Sequence, residues 1–148
     1  MKIQQGILKE RRLEVITWAF EHFKHVTGKD YFYAIIAQVT NWDKSVMLLD
    51  ENDGLKGCYL FSDLQIDSII DTDEFKGKTG IEGVLLAVDS EIRGQGWGNK
   101  LKDYPKTLGV DYIWGQQLKT LNNLEDWLKR RYLYAETKSV YITIEKFN

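Results

Sequence analysis

The chain has 148 residues, 43% of them hydrophobic and 13% aromatic, enough for one folded domain with a real core. Its net charge of -2 argues against general attraction to nucleic acid, and its single cysteine, Cys58, excludes an internal disulfide and most structural zinc sites. No apolar run approaches the ~18 residues of a membrane span and the first residues lack the apolar core of a signal peptide, so a cytoplasmic, reducing compartment is expected.

In chain order, Met1 to Gln5 is too short for a convincing strand, and Ile7 to Val26 reads as a long helix with an apolar stripe in Leu13, Ile16, Phe20 and Phe23. Thr27-Gly28-Lys29-Asp30 ends it. Tyr31 to Val39 fits a strand or a second short helix, and Ala34, Ile35 and Gln38 favour the helix. Ser45 to Leu49 and Leu55 to Phe61 are strands joined by a turn ending in Asp53-Gly54, a strong hairpin signal. A polar connection, Ser62 to Gly80, leads to Val84 to Val88, the uninterrupted apolar run of a fully buried strand.

A helix from about Gly98 to Leu108, stopped by Gly109, comes next, then a strand over Val110 to Trp114. Leu121 to Arg131 carries an amphipathic pattern in Leu121, Leu124, Trp127 and Leu128, capped by Asn122 or Asn123. Tyr132 to Glu136 and Val140 to Lys146 alternate as a closing hairpin. No repeat, low-complexity tract or linker interrupts residues 1 to 148, which are expected to form a single domain.

The densest information lies in Glu82 to Gly98, where a strand feeds a glycine-rich turn that opens a helix. Unpaired N–H groups and the positive end of a helix dipole together attract phosphate. The dinucleotide fingerprint requires Gly-x-Gly-x-x-Gly, and the triphosphate loop requires Gly-x-x-x-x-Gly-Lys-Ser/Thr. Neither spacing is present. What the chain offers is Arg93-Gly94-Gln95-Gly96-Trp97-Gly98, an Arg-x-x-Gly-x-Gly pattern after Ala87-Val88-Asp89.

This segment resembles the acetyl-CoA pyrophosphate loop of the GNAT superfamily of N-acetyltransferases. The order of elements from about Ile7 to Lys146 follows that family, with the opening strand missing. The resemblance implies an α/β fold, a mixed, mostly antiparallel splayed sheet with flanking helices and CoA lying in the opening. It implies that the amides of Gly94, Gln95, Gly96, Trp97, Gly98 and Asn99, beside Arg93, hold the pyrophosphate. Backbone groups of Leu86, Ala87 and Val88 would take the pantetheine arm and the acetyl carbonyl.

Alternation places Glu82 in a row with Val84, Leu86 and Val88, and burial there disfavours a carboxylate's charged form and suits it to act as a general base. The resemblance adds that Glu82 lies eleven residues before Arg93, the register of the family's catalytic glutamate. It implies direct transfer of acetyl from acetyl-CoA, without a metal, to a primary amine. The family's tyrosine acid falls in a segment where this chain has Leu128, leaving Tyr132 and Tyr134 as candidates. Asp71 and Asp73, in an acidic stretch preceding Glu82, suggest a cationic acceptor. A homodimer is left open, and so is a second reading, a CoA-binding or protein-interaction module that keeps the fold without turnover. His22 and His25, three apart on a helix, read as a satisfied or solvated pair rather than metal ligands.

Overall fold

A computed structural model describes residues 1–121 and 123–147. The chain divides into two compact units, Met1–Ser62 with Val84–Leu108, and Asp63–Gly83 with Gly109–Asn148. The strands β1 (Lys2–Gln5), β2 (Asn41–Leu49), β3 (Leu55–Ser62), β4 (Gly80–Val88), β5 (Tyr112–Leu118), β6 (Tyr132–Glu136) and β7 (Val140–Lys146) follow the order β1-β2-β3-β4-β5-β7-β6 in one mixed, mostly antiparallel sheet. Its central strand, β4 (Gly80–Val88), contributes its first four residues to the second unit and the rest to the first.

In the first unit the structure corrects the expectation that the opening strand is missing. Lys2–Gln5 forms β1, pairing antiparallel with β2 (Asn41–Leu49) from Lys2 opposite Leu49 to Gln5 opposite Val46. Four residues suffice because the partner strand supplies every ladder bond on that side, and alternation alone cannot reveal so short an edge strand. β2 turns into β3 (Leu55–Ser62) through Asp50, whose Oδ1 accepts from the amides of Asn52 and Gly54, both at 2.8 Å. Asp53 there adopts a positive φ of 60°.

The long helix is α1 (Lys9–Thr27), followed by the short helix α2 (Lys29–Ile36) that the Tyr31 to Val39 pattern favours. The stripe of α1 is centred differently from the sequence reading: Val15 and Ala19 are fully buried while Leu13 is 74% exposed. At 3.6 residues per turn Leu13 sits roughly 200° round the helix from Val15, so it cannot share that face. Ile16, Phe20 and Phe23 flank the buried pair and pack with Phe32, Met47, Cys58, Leu60 and Leu85 in the unit's core. The helix predicted over Gly98 to Leu108 is α3 (Trp97–Asp103) running into a 3-10 turn, Tyr104–Thr107. Pro105, which lacks an N–H and clashes with the preceding turn, is the cause of that change.

In the second unit β4 pairs in parallel with β5 (Tyr112–Leu118), Gly80 opposite Tyr112 through Glu82 opposite Trp114. β5 pairs antiparallel with β7 (Val140–Lys146) along its whole length, and β7 with β6 (Tyr132–Glu136), the hairpin expected. β5 runs four residues past its predicted end, to Leu118, because Gln116 and Gln117 interrupt the apolar signal yet take ladder positions opposite Ile142 and Tyr141. The polar connection is more ordered than its composition suggests, with Ile66 and Phe75 buried against Tyr112, Trp114, Ile142 and Ile144.

The amphipathic helix expected over Leu121 to Arg131 contracts to one turn, α4 (Leu124–Trp127). Only Trp127 of the expected apolar face is buried; Leu128 is 42% exposed. The turn ends so that Arg131 can fold back beneath it, its guanidinium carbon 4.0 Å from the centre of the Trp127 ring. Asn123 occupies the N-cap position without a side-chain cap bond, and Asn122 lies outside the described residues.

Candidate active site

The glycine loop belongs to the first unit. Where β4 ends, the Asp89 amide donates to the Lys56 carbonyl at 2.8 Å and its carboxylate accepts from the Glu91 amide at 2.9 Å. This starts a 3-10 turn, Ser90–Ile92, whose Ile92 is buried and pins the loop's entry. Arg93 follows in extended conformation with its side chain exposed. Gly94 and Gly96 then adopt φ of 81° and 84°, a region where an L side chain is strained, and a Cβ on either would meet nothing within 4 Å. The two glycines thus serve the backbone's path and leave its surface open.

The amides of Gly94, Gln95 and Gly96 find no acceptor among the described residues, and Trp97 and Gly98 are the first two residues of α3, where intrahelical acceptors do not exist. Successive free N–H groups of this kind suit an oxyanion such as a diphosphate. Asn99 follows on the exposed side of the same turn. Trp97 is half-buried and packs within its own helix, with Lys100 Nζ 4.1 Å over its ring. Leu86 and Val88 are half-buried and Ala87 is buried in the unit's core. Cys58 is fully buried, and burial pushes its thiol up to about 12, which removes it as a nucleophile near neutral pH.

Glu82 belongs to the second unit and is 2% exposed, so it is not a solvated edge residue. Its Oε2 accepts from Gln116 Nε2 at 3.2 Å. The register of the strand that bears it is fixed by Gln65, whose side-chain amide accepts from the Gly80 N–H at 2.7 Å and donates to the Gly80 carbonyl at 2.8 Å. Tyr112 and Trp114 complete the clamp, donating to Gln65 Oε1 at 3.3 Å and to the Leu64 carbonyl at 2.8 Å.

Tyr132 and Tyr134 are brought together on β6, ring centroids 6.3 Å apart, and lie against the acidic connection. Tyr134 shares a 2.8 Å hydrogen bond with Thr72, between Asp71 and Asp73, and packs edge-on against Phe75. Tyr132 is 39% exposed and donates to Glu74 Oε2 at 3.5 Å. Partial burial and then Glu74 raise its hydroxyl pKa against the opposing pull of Lys146, so it holds its proton firmly. Asp71 and Asp73 are exposed, while Glu74 is paired with Lys146 at 3.2 Å.

Sequence reasoning missed a buried polar cluster in this unit. Arg131, 6% exposed, donates through Nη1 to Thr143 Oγ1 at 3.4 Å, and Thr143 donates to Gln117 Oε1 at 2.8 Å. A methyl group on Gly115 would lie 2.7 Å from Arg131 Nη1 and 3.1 Å from Gln117 Nε2, so any larger residue there would have to displace the ends of these two side chains. The available signal was that glycine inside a strand, which marks a close approach. His22 Nδ1 lies 2.9 Å from the Trp18 carbonyl, its ring against Trp18, and among the described residues no group of three His, Cys, Asp or Glu side chains converges as a metal site. No helix among them is long and apolar enough to cross a membrane.

The order of elements, the mixed sheet and the loop after its central strand are the GNAT N-acetyltransferase fold, and solved structures bear this out. A GNAT-family acetyltransferase from Listeria monocytogenes matches over 98% of this chain and 94% of its own, at 12% identity and a TM-score of 0.71. An aminoglycoside 6'-N-acetyltransferase complexed with coenzyme A matches over 100% and 98%, at 13% identity and a TM-score of 0.70. A putative N-acetyltransferase from Lactobacillus plantarum matches over 99% and 98%, at 14% identity and a TM-score of 0.68. No protein-family profile matches the sequence, and no curated protein matches it. Likeness at these identities establishes the fold.

Proposed function

We propose that this chain is an acetyl-CoA-dependent N-acetyltransferase that acts on a primary amine. The observation that carries the reading is the loop after β4, where two positive-φ glycines expose consecutive amides at the start of α3 in a chain with this fold. In this reading the amides from Gly94 to Asn99 and the exposed Arg93 hold the diphosphate. Backbone groups of Leu86, Ala87 and Val88 take the pantetheine arm and the thioester carbonyl, and a fixed N–H stabilises the oxyanion that forms on that carbonyl.

Glu82 is the general base. A carboxylate at 2% exposure, held by Gln116, is preorganised to take a proton from an ammonium group directly or through water. The acceptor is cationic: Asp71 and Asp73 are exposed and uncompensated by the Glu74–Lys146 pair, and surface carboxylates concentrate cations near them. The aminoglycoside enzyme among the similar structures acts on an acceptor of that class by its name. Tyr134 is committed to Thr72, and Tyr132 remains the candidate proton donor to the departing thiol.

The second reading, a CoA-binding module without turnover, draws on Leu128, an exposed turn residue where the family's tyrosine is expected. Incubating the protein with acetyl-CoA and a panel of amines, and following free thiol, separates the two. Amine-dependent thiol release supports the enzyme; CoA binding without release supports the module; absence of CoA binding removes both.

A further inference from the structure

Glu82 is 2% exposed, yet a general base has to meet the proton it takes. We propose that Gln116 is the positioning residue that reconciles the two: its side chain covers the Glu82 carboxylate, holds Oε2 in place and swings aside for the acceptor ammonium. The inference rests on Glu82 as the base in the reading above. Both residues lie in the second unit, on one face of the sheet. The parallel register of β4 and β5 ends with Glu82 opposite Trp114, and Gln116 is the next β5 residue on that face, roughly 7 Å further along.

The face changes character at that point. Trp114, Ile142 and Ile144 are buried, whereas Gln116, opposite Ile142 on β7, is exposed. Its Nε2 reaches back to within 3.2 Å of Glu82 Oε2, so an exposed amide caps a buried carboxylate. The two ends of this contact differ in freedom. Glu82 rides on a strand start whose Gly80 N–H and C=O are both held by Gln65, which in turn accepts from Tyr112. Gln116 makes no other side-chain hydrogen bond among the described residues, and exposed side chains change rotamer rapidly. When the amide turns away, Oε2 accepts an ammonium N–H in its place.

The step is a single proton transfer. An ammonium N–H bond breaks, its electron pair stays on nitrogen as the nucleophile, and an O–H bond forms on Glu82, which afterwards passes the proton to water. Gln116 gives and takes no proton. The titratable groups sharing this face are Tyr112 on β5, Lys146 on β7 in its ion pair with Glu74, and Tyr132 and Tyr134 on β6. Asp63 and Asp67, both exposed, flank Gln65 in the connection. Burial pushes the Tyr112 and Tyr132 hydroxyls up and Glu74 pushes the Lys146 ammonium up, so these three keep their protons where a carboxylate titrates. Asp111 is turned to the Thr79 amide at 2.8 Å. Glu145, Arg131 and Lys119, the last over Tyr141 at 5.0 Å, belong to the opposite face, as does α4 through the contact of Trp127 with Arg131.

The test follows amine-dependent thiol release from acetyl-CoA between about pH 5.5 and 9 in the parent, Gln116→Met and Gln116→Ala, with Glu82→Gln as the reference for the base. Methionine keeps the length and the cover but cannot donate. A covered carboxylate without its donor holds its proton to higher pH, so the acid limb of kcat/KM should move up by about one pH unit. Alanine opens the carboxylate to water, which replaces the lost donor, so its limb should stay at the parental position or fall below it while kcat drops. CoA affinity by calorimetry should match the parent in both variants. A limb that moves equally in the two variants, or in neither, overturns the role of Gln116; if Glu82→Gln still flattens the limb, the base reading stands. A limb unaffected by Glu82→Gln, or a parent without amine-dependent release, overturns the base reading and this inference with it.

Discussion

Substituting the loop glycines one at a time gives the sharpest test of the diphosphate cradle. Gly94 and Gly96 sit at φ of 81° and 84°, whereas Gly98 has ordinary backbone and its Cβ would make a normal 4.0 Å contact with Val88. Holding an L residue in the left-handed region costs roughly 1–2 kcal/mol. Nothing within 4 Å of either Cβ position resists relaxation in the free protein, so the loop of an alanine variant can relax and the cost reappears on ligand binding. Since 1.4 kcal/mol is tenfold in affinity, Gly96→Ala should weaken CoA binding roughly 5- to 30-fold. Melting temperature should hardly change. Gly98→Ala should bind like the parent, and Gly96→Glu, which brings bulk and negative charge to the phosphates, should abolish binding. Calorimetric titration with CoA and thermal melts by circular dichroism read all four proteins. Equal CoA affinity for the parent, Gly96→Ala and Gly96→Glu in folded protein would refute the cradle.

Three further outcomes follow from the site. Glu82→Gln should lower turnover by about 100-fold with CoA affinity nearly unchanged, and flatten the acid limb of the rate profile; parental activity at every pH returns Glu82 to a structural role. Asp71→Asn with Asp73→Asn should raise KM for cationic amines at low salt, with the gap closing as salt rises and acetyl-CoA untouched; an unchanged acceptor ranking and salt dependence removes the acidic segment from recognition. Burial lifts the Cys58 thiol from an ordinary 9.0 to about 12. Above the unfolded value the unfolded chain sheds that proton while the folded chain keeps it, so stability should be whole below about pH 9 and fall from there toward pH 12. Urea melts at pH 8 and 10.5 should show a smaller alkaline loss in Cys58→Ala than in the parent; an identical loss excludes this thiol as a source.

Residues 82 to 98 were legible because their chemistry is local: an apolar strand, a carboxylate in its row, and glycines whose spacing already implies a backbone path. Element order was legible for the same reason. What stayed hidden depended on partners distant in sequence. Lys2–Gln5 becomes a strand only because β2 lies alongside, and Gln116 and Gln117 extend β5 only because β7 pairs with them. Arg131 read as one more charge at the end of a helix, since nothing nearby in sequence announces that Gly115, Thr143 and Trp127 will enclose it. The contraction of α4 has the same origin, a tertiary demand overriding a respectable amphipathic pattern.

The alternation of the two units along the chain sets the order in which this protein can be finished during synthesis. Residues 63–83 leave the ribosome before the rest of their own unit exists. Leu64, Gln65 and Thr72 wait for Trp114, Tyr112 and Tyr134, their bonding partners 50, 47 and 62 residues downstream. Ile66 and Phe75, destined for the core those residues complete, are exposed meanwhile. The nascent chain therefore passes through a stage in which Ile66 and Phe75 stand among the carboxylates of Asp67, Asp71, Asp73 and Glu74 until the residues that bury them emerge.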